Sequence, residues 1–329
     1  MKPLYFFIAS IASVHGLSIN QKPIPHLFEL SFQPQIGDTC IDSQKGLIQT
    51  GIQDSIASFA PSASASLGGS SVEAVELLGA TDEQSRELAQ KVYDALSLFN
   101  GDKDDPGFQW GCPVVSSFCN GRPRGTKAIT RPALNSKGAN DVPMTNNFDM
   151  CVGWENSIKG NGALPSESAL WPGFCKAYPK GSDMAETVAA RVVLHEFFHS
   201  DYIYQAAGIT ARDMPDRRRL RLAMGDFAYG KKGILNLQNE QKMANADSFF
   251  WFAFYTVRKE KCGRGFRRGS HCIIALQSAE FNSTQNTMED PQCKCPDGMV
   301  KDIIEVDDSD GSKWDEVTCV SETTIQEEL

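Results

Sequence analysis

Histidine is scarce in this chain, with five among 329 residues. Two of them at a functional spacing therefore carry weight. Positive charge is also short. Lys and Arg number 32 against 41 Asp and Glu, a net charge of −9. That balance argues against a nucleic-acid partner and leans towards a cationic one. Beyond the N-terminus no apolar run is long enough to span a bilayer. Ser248 to Tyr255 is strongly apolar but too short, and reads as a core helix segment. No two basic residues are adjacent between Leu17 and Ser200, so a dibasic processing site is missing where a removable propeptide would need one.

What is present begins with Met1-Lys2-Pro3 and an apolar run from Leu4 to Val14. A positive start followed by a short apolar core reads as a secretory signal peptide. Val14 and Gly16 are small enough for the cleavage site, so residues 1–16 are expected to be removed. The chain has ten cysteines, Cys40, Cys112, Cys119, Cys151, Cys175, Cys262, Cys272, Cys293, Cys295 and Cys319, all after that leader. An even number in an exported chain implies disulfides, with pairing left open. Asn282-Ser283-Thr284 is an N-glycosylation acceptor, which makes Asn282 a candidate modification site on an extracellular protein.

Residues 17–70 hold scattered prolines and a small-residue run from Phe59 to Ser71, read as an extension and a linker. Val72 to Leu78 reads as a short helix. Thr81 and Gln84 have capping-box spacing, and the helix behind them buries Leu88, Val92, Ala95, Leu96 and Phe99. Pro113 to Val115, Lys127 to Thr130 and Phe148 to Val152 read as strands of a small sheet. Such strands are a natural wall for an extended peptide. Gly181-Ser182-Asp183 is read as the cap of one helix running through Val192 to Phe198. The apolar stretch in Glu240 to Lys259 reads as another helix. Residues 289–329 carry thirteen acidic side chains against Lys294, Lys301 and Lys313, and read as a solvated, cysteine-stapled tail. Residues 71–288 are left as the main domain.

The stretch that organises the chain is His195-Glu196-Phe197-Phe198-His199. Helical residues four apart stack on one face, so both imidazoles can aim at one point. This H-E-x-x-H pattern suits a zinc ion held by two histidines, with the glutamate facing water. Zinc lowers the pKa of bound water, and Glu196 could take its proton. The chemistry implied is hydrolysis of a peptide bond. A catalytic zinc needs a third protein ligand. Position 205 is Gln, which excludes the metzincin pattern of a histidine six residues on. Glu240 lies 41 residues after His199 in a context that only half matches a downstream glutamate ligand. Asp226 is the better candidate.

Asp226 stands in Gly225-Asp226-Phe227-Ala228-Tyr229-Gly230. The Asp-x-x-Tyr-Gly core resembles the aspzincin signature of deuterolysin-like metalloendopeptidases, a largely fungal secreted family. Asn245-Ala246-Asp247-Ser248-Phe249 is similar to that family's downstream Asn-Ala-Asp-x-aromatic stretch. The resemblance implies His195, His199 and Asp226 as zinc ligands, Glu196 as general base and Tyr229 as stabiliser of the oxyanion. Asp247 matches the position that faces a basic substrate side chain in the lysine-specific branch. Ala223-Met224 stands where the family has Gly-Thr, and 27 residues separate His199 from Asp226, so the chain between must fold out and return.

The expectations are an α+β, zincin-like, disulfide-stabilised fold and a secreted zinc endopeptidase acting on proteins or peptides. Its rival is a non-catalytic zinc-binding protein on the same fold. A third reading takes Glu240 as the ligand.

Overall fold

A computed structural model describes residues 35–99, 108–113, 119, 127–132, 146–209, 224–268, 273–274, 293–307 and 313–321. The expected signal peptide and the glycosylation acceptor at Asn282 lie outside these residues. All described residues fall in one unit, Phe32–Leu329.

After β1 (Gln35–Ile36) the chain enters α1 (Asp42–Asp54), a π-helical stretch Ser55–Phe59, and α2 (Ala60–Ser66). The expected extended segment and linker are therefore helical here. Ile48, Ile52, Ile56, Phe59, Ala60 and Ala63 recur at three- and four-residue spacing and are all buried. The small residues that suggest a linker instead permit close packing. A Cβ on Gly51 would lie 2.6 Å from Cγ2 of Val193. Pro61 sits in the first turn of α2, where a missing N–H costs nothing. The serine hydroxyls are used as well: Ser62 donates to Glu260 at 2.7 Å, and Ser64 to Asp94.

Residues Ala74–Leu78 form a further π-helical turn. The cap of α3 (Glu83–Ser97) falls one residue later than expected. Asp82 accepts from the Ser85 N–H at 2.7 Å, and the Ser85 hydroxyl accepts from the Asp82 N–H at 3.2 Å. The carboxylate out-competes Thr81 as a capping acceptor.

The strands β2 (Phe108–Gly111), β3 (Ala128–Pro132) and β4 (Asn146–Met150) complete a four-stranded sheet ordered β1-β2-β4-β3. Its first three strands are parallel, and β3 runs antiparallel along the edge. One expected strand thus lies just before Pro113, while Val114 and Val115 fall outside the described residues.

Next come α4 (Trp171–Ala177), α5 (Gly181–Ala185) and α6 (Ala190–Phe197). The single helix expected from Gly181 breaks between α5 and α6, because Val188 pairs with Gly162 and Ala189 donates to the Gly162 carbonyl at 2.8 Å. After α7 (Asp201–Ala206), α8 (Gly230–Leu235) and α9 (Asn239–Lys242), the helix α10 (Ala246–Cys262) is buried on every side from Ala246 to Arg258. A helix apolar all round is a central one.

The described part of the acidic tail is built into strands. It forms β8 (Met299–Asp307) and β9 (Lys313–Ser321), which follow β5 (Phe266–Arg268), β6 (Ile273–Ile274) and β7 (Cys293–Lys294). β5, β9 and β8 make a second sheet. Asp315, Val317, Thr318 and Cys319 are buried. The hairpin is joined to the rest by a buried Arg258–Asp315 ion pair and by Lys301–Glu76 at 3.0 Å.

Four disulfides link described cysteines: Cys40–Cys112, Cys119–Cys151, Cys175–Cys262 and Cys295–Cys319. Helices and small sheets held by disulfides make the fold α+β, as expected.

Candidate metal centre

The site is built on the end of α6. Ala190, Val193, Leu194 and Phe197 are fully buried, so the helix is fixed by packing rather than by propensity. The two phenylalanines between the histidines point into different layers. Phe197 meets the sheet edge-on, 5.6 Å from Trp110 and 5.1 Å from Phe108. Phe198 packs on the helices, 5.7 Å from Tyr93 and 5.1 Å from Phe249. The last turn tightens, with the His199 N–H donating to Glu196 O at 3.0 Å. His199 thus lies just beyond the helix yet stays edge-on against His195, with ring centroids 4.9 Å apart.

His195, His199 and Asp226 converge. Nε2 of His195 and Nε2 of His199 are 3.2 Å apart, and each is 3.3 Å from Oδ1 of Asp226. Ligands 2.0–2.1 Å from a tetrahedral zinc ion stand about 3.3–3.4 Å from one another. The three atoms therefore already have the spacing such an ion requires. Both Nδ1 atoms are occupied elsewhere, His195 against Oδ1 of Asp247 at 3.2 Å and His199 against the Met224 carbonyl at 2.8 Å. Those contacts leave the Nε2 lone pairs for a metal. Two imidazoles and a carboxylate form a donor set that suits zinc.

The charges reinforce one another. Burial lowers the pKa of His195, but Asp226 and Asp247 on its two nitrogens outweigh burial and raise it well above the usual imidazole value. Burial pushes Asp226 up, yet His195 and His199 hold it well below the usual carboxylate range. A cation is thus preferred at this point, and a metal entering it displaces a proton.

The segment carrying Asp226 is stitched in place from behind. Met224 N–H donates to Phe198 O at 3.1 Å, and Gly225 forms a parallel bridge with Asn245. The buried Asn245 side chain accepts from the Phe227 N–H at 2.8 Å and donates to Ala228 O at 3.2 Å. These bonds bring the chain back after the long gap from His199. Gly230, at φ 70°, turns its N–H onto Oδ2 of Asp247 at 2.5 Å. Trp251 Nε1 donates to the same oxygen at 3.2 Å. Asp247 was expected to face a basic substrate side chain. Both its oxygens are instead taken by internal donors, and it is turned towards His195.

Glu196 is 4% exposed. Its Oε2 accepts from the Thr130 hydroxyl of β3 at 2.6 Å. Lys127 to Thr130 is legible in the sequence as a strand, but a threonine in a strand belongs to no motif and does not stand out as functional. Tyr229 is 66% exposed and its ring stacks on His195 at 5.9 Å. Partial desolvation and the neighbouring Asp226 carboxylate raise its pKa, so its hydroxyl keeps its proton at neutral pH. Glu240 is exposed on α9 and stands outside the ligand cluster.

Fold and site together define an α+β, disulfide-held protein with a His-His-Asp cluster able to hold a metal. The sequence matches no known family and no curated protein. Among solved structures, the chain is similar to a zinc peptidase from Grifola frondosa, with a TM-score of 0.38 and 14% identity over 65% of this chain and 96% of that one.

Proposed function

We propose that this chain is a secreted zinc-dependent endopeptidase with a zincin-like fold, of the aspzincin type, acting on proteins or peptides. The observation that carries the reading is the triangle of His195 Nε2, His199 Nε2 and Asp226 Oδ1, with spacings of 3.2–3.3 Å and the buried Glu196 beside it. Zinc bound there supplies Lewis acidity to a carbonyl oxygen and acidifies water. Glu196 takes a proton from the attacking water as its oxygen bonds the scissile carbon. The carbon–nitrogen bond then breaks, and Glu196 passes the proton to the leaving amine. Tyr229 donates its hydroxyl proton in a hydrogen bond to the oxyanion. Asp247 orients His195 and leaves no free charge for a basic substrate side chain. Four disulfides among the described residues agree with an oxidising compartment. No described helix is long and apolar enough to cross a membrane.

The test measures zinc content and cleavage of casein and a peptide library for the purified protein and two variants. About one zinc per chain is expected. It should be lost, together with cleavage, in Asp226→Ala. Glu196→Gln should keep the zinc and lose turnover. Zinc retained in Asp226→Ala would remove Asp226 from the ligand set. Zinc without cleavage in the parent protein would point to a binding protein.

A further inference from the structure

Glu196 is almost wholly buried, and a buried carboxylate without donors is costly. Among the described residues a single side chain donates to it, Thr130 at 2.6 Å from Oε2. The same hydroxyl lies 3.2 Å from the Glu196 backbone carbonyl. It has one proton, and the shorter contact is the one to the carboxylate. Oε1 accepts nothing from the described residues.

The setting of Thr130 makes that hydroxyl conspicuous. Strand residues two apart share a face. Ala128 shares the face of Thr130 and is buried, and the register sets Thr130 opposite the fully buried Phe148 and Ala128 opposite Met150. This face of β3 is otherwise apolar. Valine has nearly the same shape and would satisfy it without a polar atom. The hydroxyl therefore answers to Glu196. Geometry explains why the donor comes from the sheet. Successive helical residues point about 100° apart, so Glu196 cannot share the face of His195 and His199. It leans from the flank of α6 towards the edge strand, where Thr130 meets it.

We propose that Thr130 is a positioning residue for catalysis: its hydroxyl fixes Oε2 of Glu196 and leaves Oε1 turned to the attacking water. This rests on the hydrolase reading above. Aligning the base matters because a proton acceptor works only within hydrogen-bond reach of its proton. With that anchor gone, the carboxylate samples other rotamers and spends less time aligned. The side chains of His195, His199 and Asp226 are untouched.

The experiment compares zinc-loaded parent protein, Thr130→Val, Thr130→Ser and Glu196→Gln. For Thr130→Val a fall in kcat of about tenfold to a hundredfold is expected, the range of one hydrogen bond to a charged group. KM and zinc content should stay at the parent values, and Thr130→Ser should regain most of the rate. Parent-level kcat in Thr130→Val would overturn the proposal. So would a loss of rate in both variants that follows lost zinc or a lower melting temperature, since that marks a purely structural role. A parent protein that is as inactive as Glu196→Gln would sink the hydrolase reading itself. Thr130 would then be judged by a crystal structure of Thr130→Val. A turned Glu196 carboxylate supports the anchor, and an unmoved one refutes it.

Discussion

Asp247 joins three donors with two oxygens: the His195 ring, the Gly230 N–H and the Trp251 indole. Its charge would raise the basicity of His195 as a proposed metal ligand, and such outer contacts typically matter by about 10–100-fold in affinity. Asp247→Asn should therefore weaken zinc binding by roughly that factor, measured by competition with a chromophoric chelator on protein shown to be folded. Unchanged affinity would return Asp247 to a role in substrate contact. The sequence displayed the residue but not its direction. Direction depends on Gly230 adopting a left-handed φ of 70°, which no spacing rule reports. Thr130 was hidden for a related reason, since it meets Glu196 across 66 residues of chain. The histidine pair was legible because helical geometry alone sets its spacing, and Asp226 because it lies in a recognisable signature.

At the scale of elements, α6 is clamped between a sheet and a helical layer. Phe197 faces one and Phe198 the other. α1 presses on it from a further side through Gly51, where a Cβ would come within 2.6 Å of Val193. Gly51→Ala should force α1 off α6 and cost about 1–3 kcal/mol, the usual range for overpacking. Chemical denaturation checks this, and a stability equal to the parent would show that the helices can slide apart freely. The helices α3 and α10 were readable from apolar periodicity. The helix of 60–66 was not, because serine and alanine carry a weak apolar signal and only their burial reveals which face is inward. The break before α6 was also unreadable, since it arises from pairing with Gly162, distant in sequence.

For the whole molecule, the half-buried Asp54 and the buried Lys242 set opposing pH trends. Burial lifts the Asp54 carboxyl from 3.8 to about 7 against the pull of the Leu164 N–H. The folded state thus holds a proton that the unfolded chain releases. This contribution is complete below about pH 4 and is lost as pH rises through about 7. Lys242 is lowered from 10.5 to about 7 by burial and then by Lys301, so its contribution is present above about pH 10.5 and is lost as pH falls through 7. Asp54→Asn, which keeps an acceptor for Leu164, should be more stable than the parent at pH 8 and closely matched at pH 4. Melting curves at the two pH values decide it, and a gain equal at both would show that Asp54 is not protonated in the fold. Charge count alone does not reveal that Asp315 of the acidic tail meets Arg258 inside the protein. Met224 N–H meets Phe198 O, so the chain leaves and re-enters the site at neighbouring points. A single cut between residues 210 and 223 would place His195 and His199 on one polypeptide and Asp226 on another, with Cys175–Cys262 still joining them. The metal would then be shared by two chains that began as one.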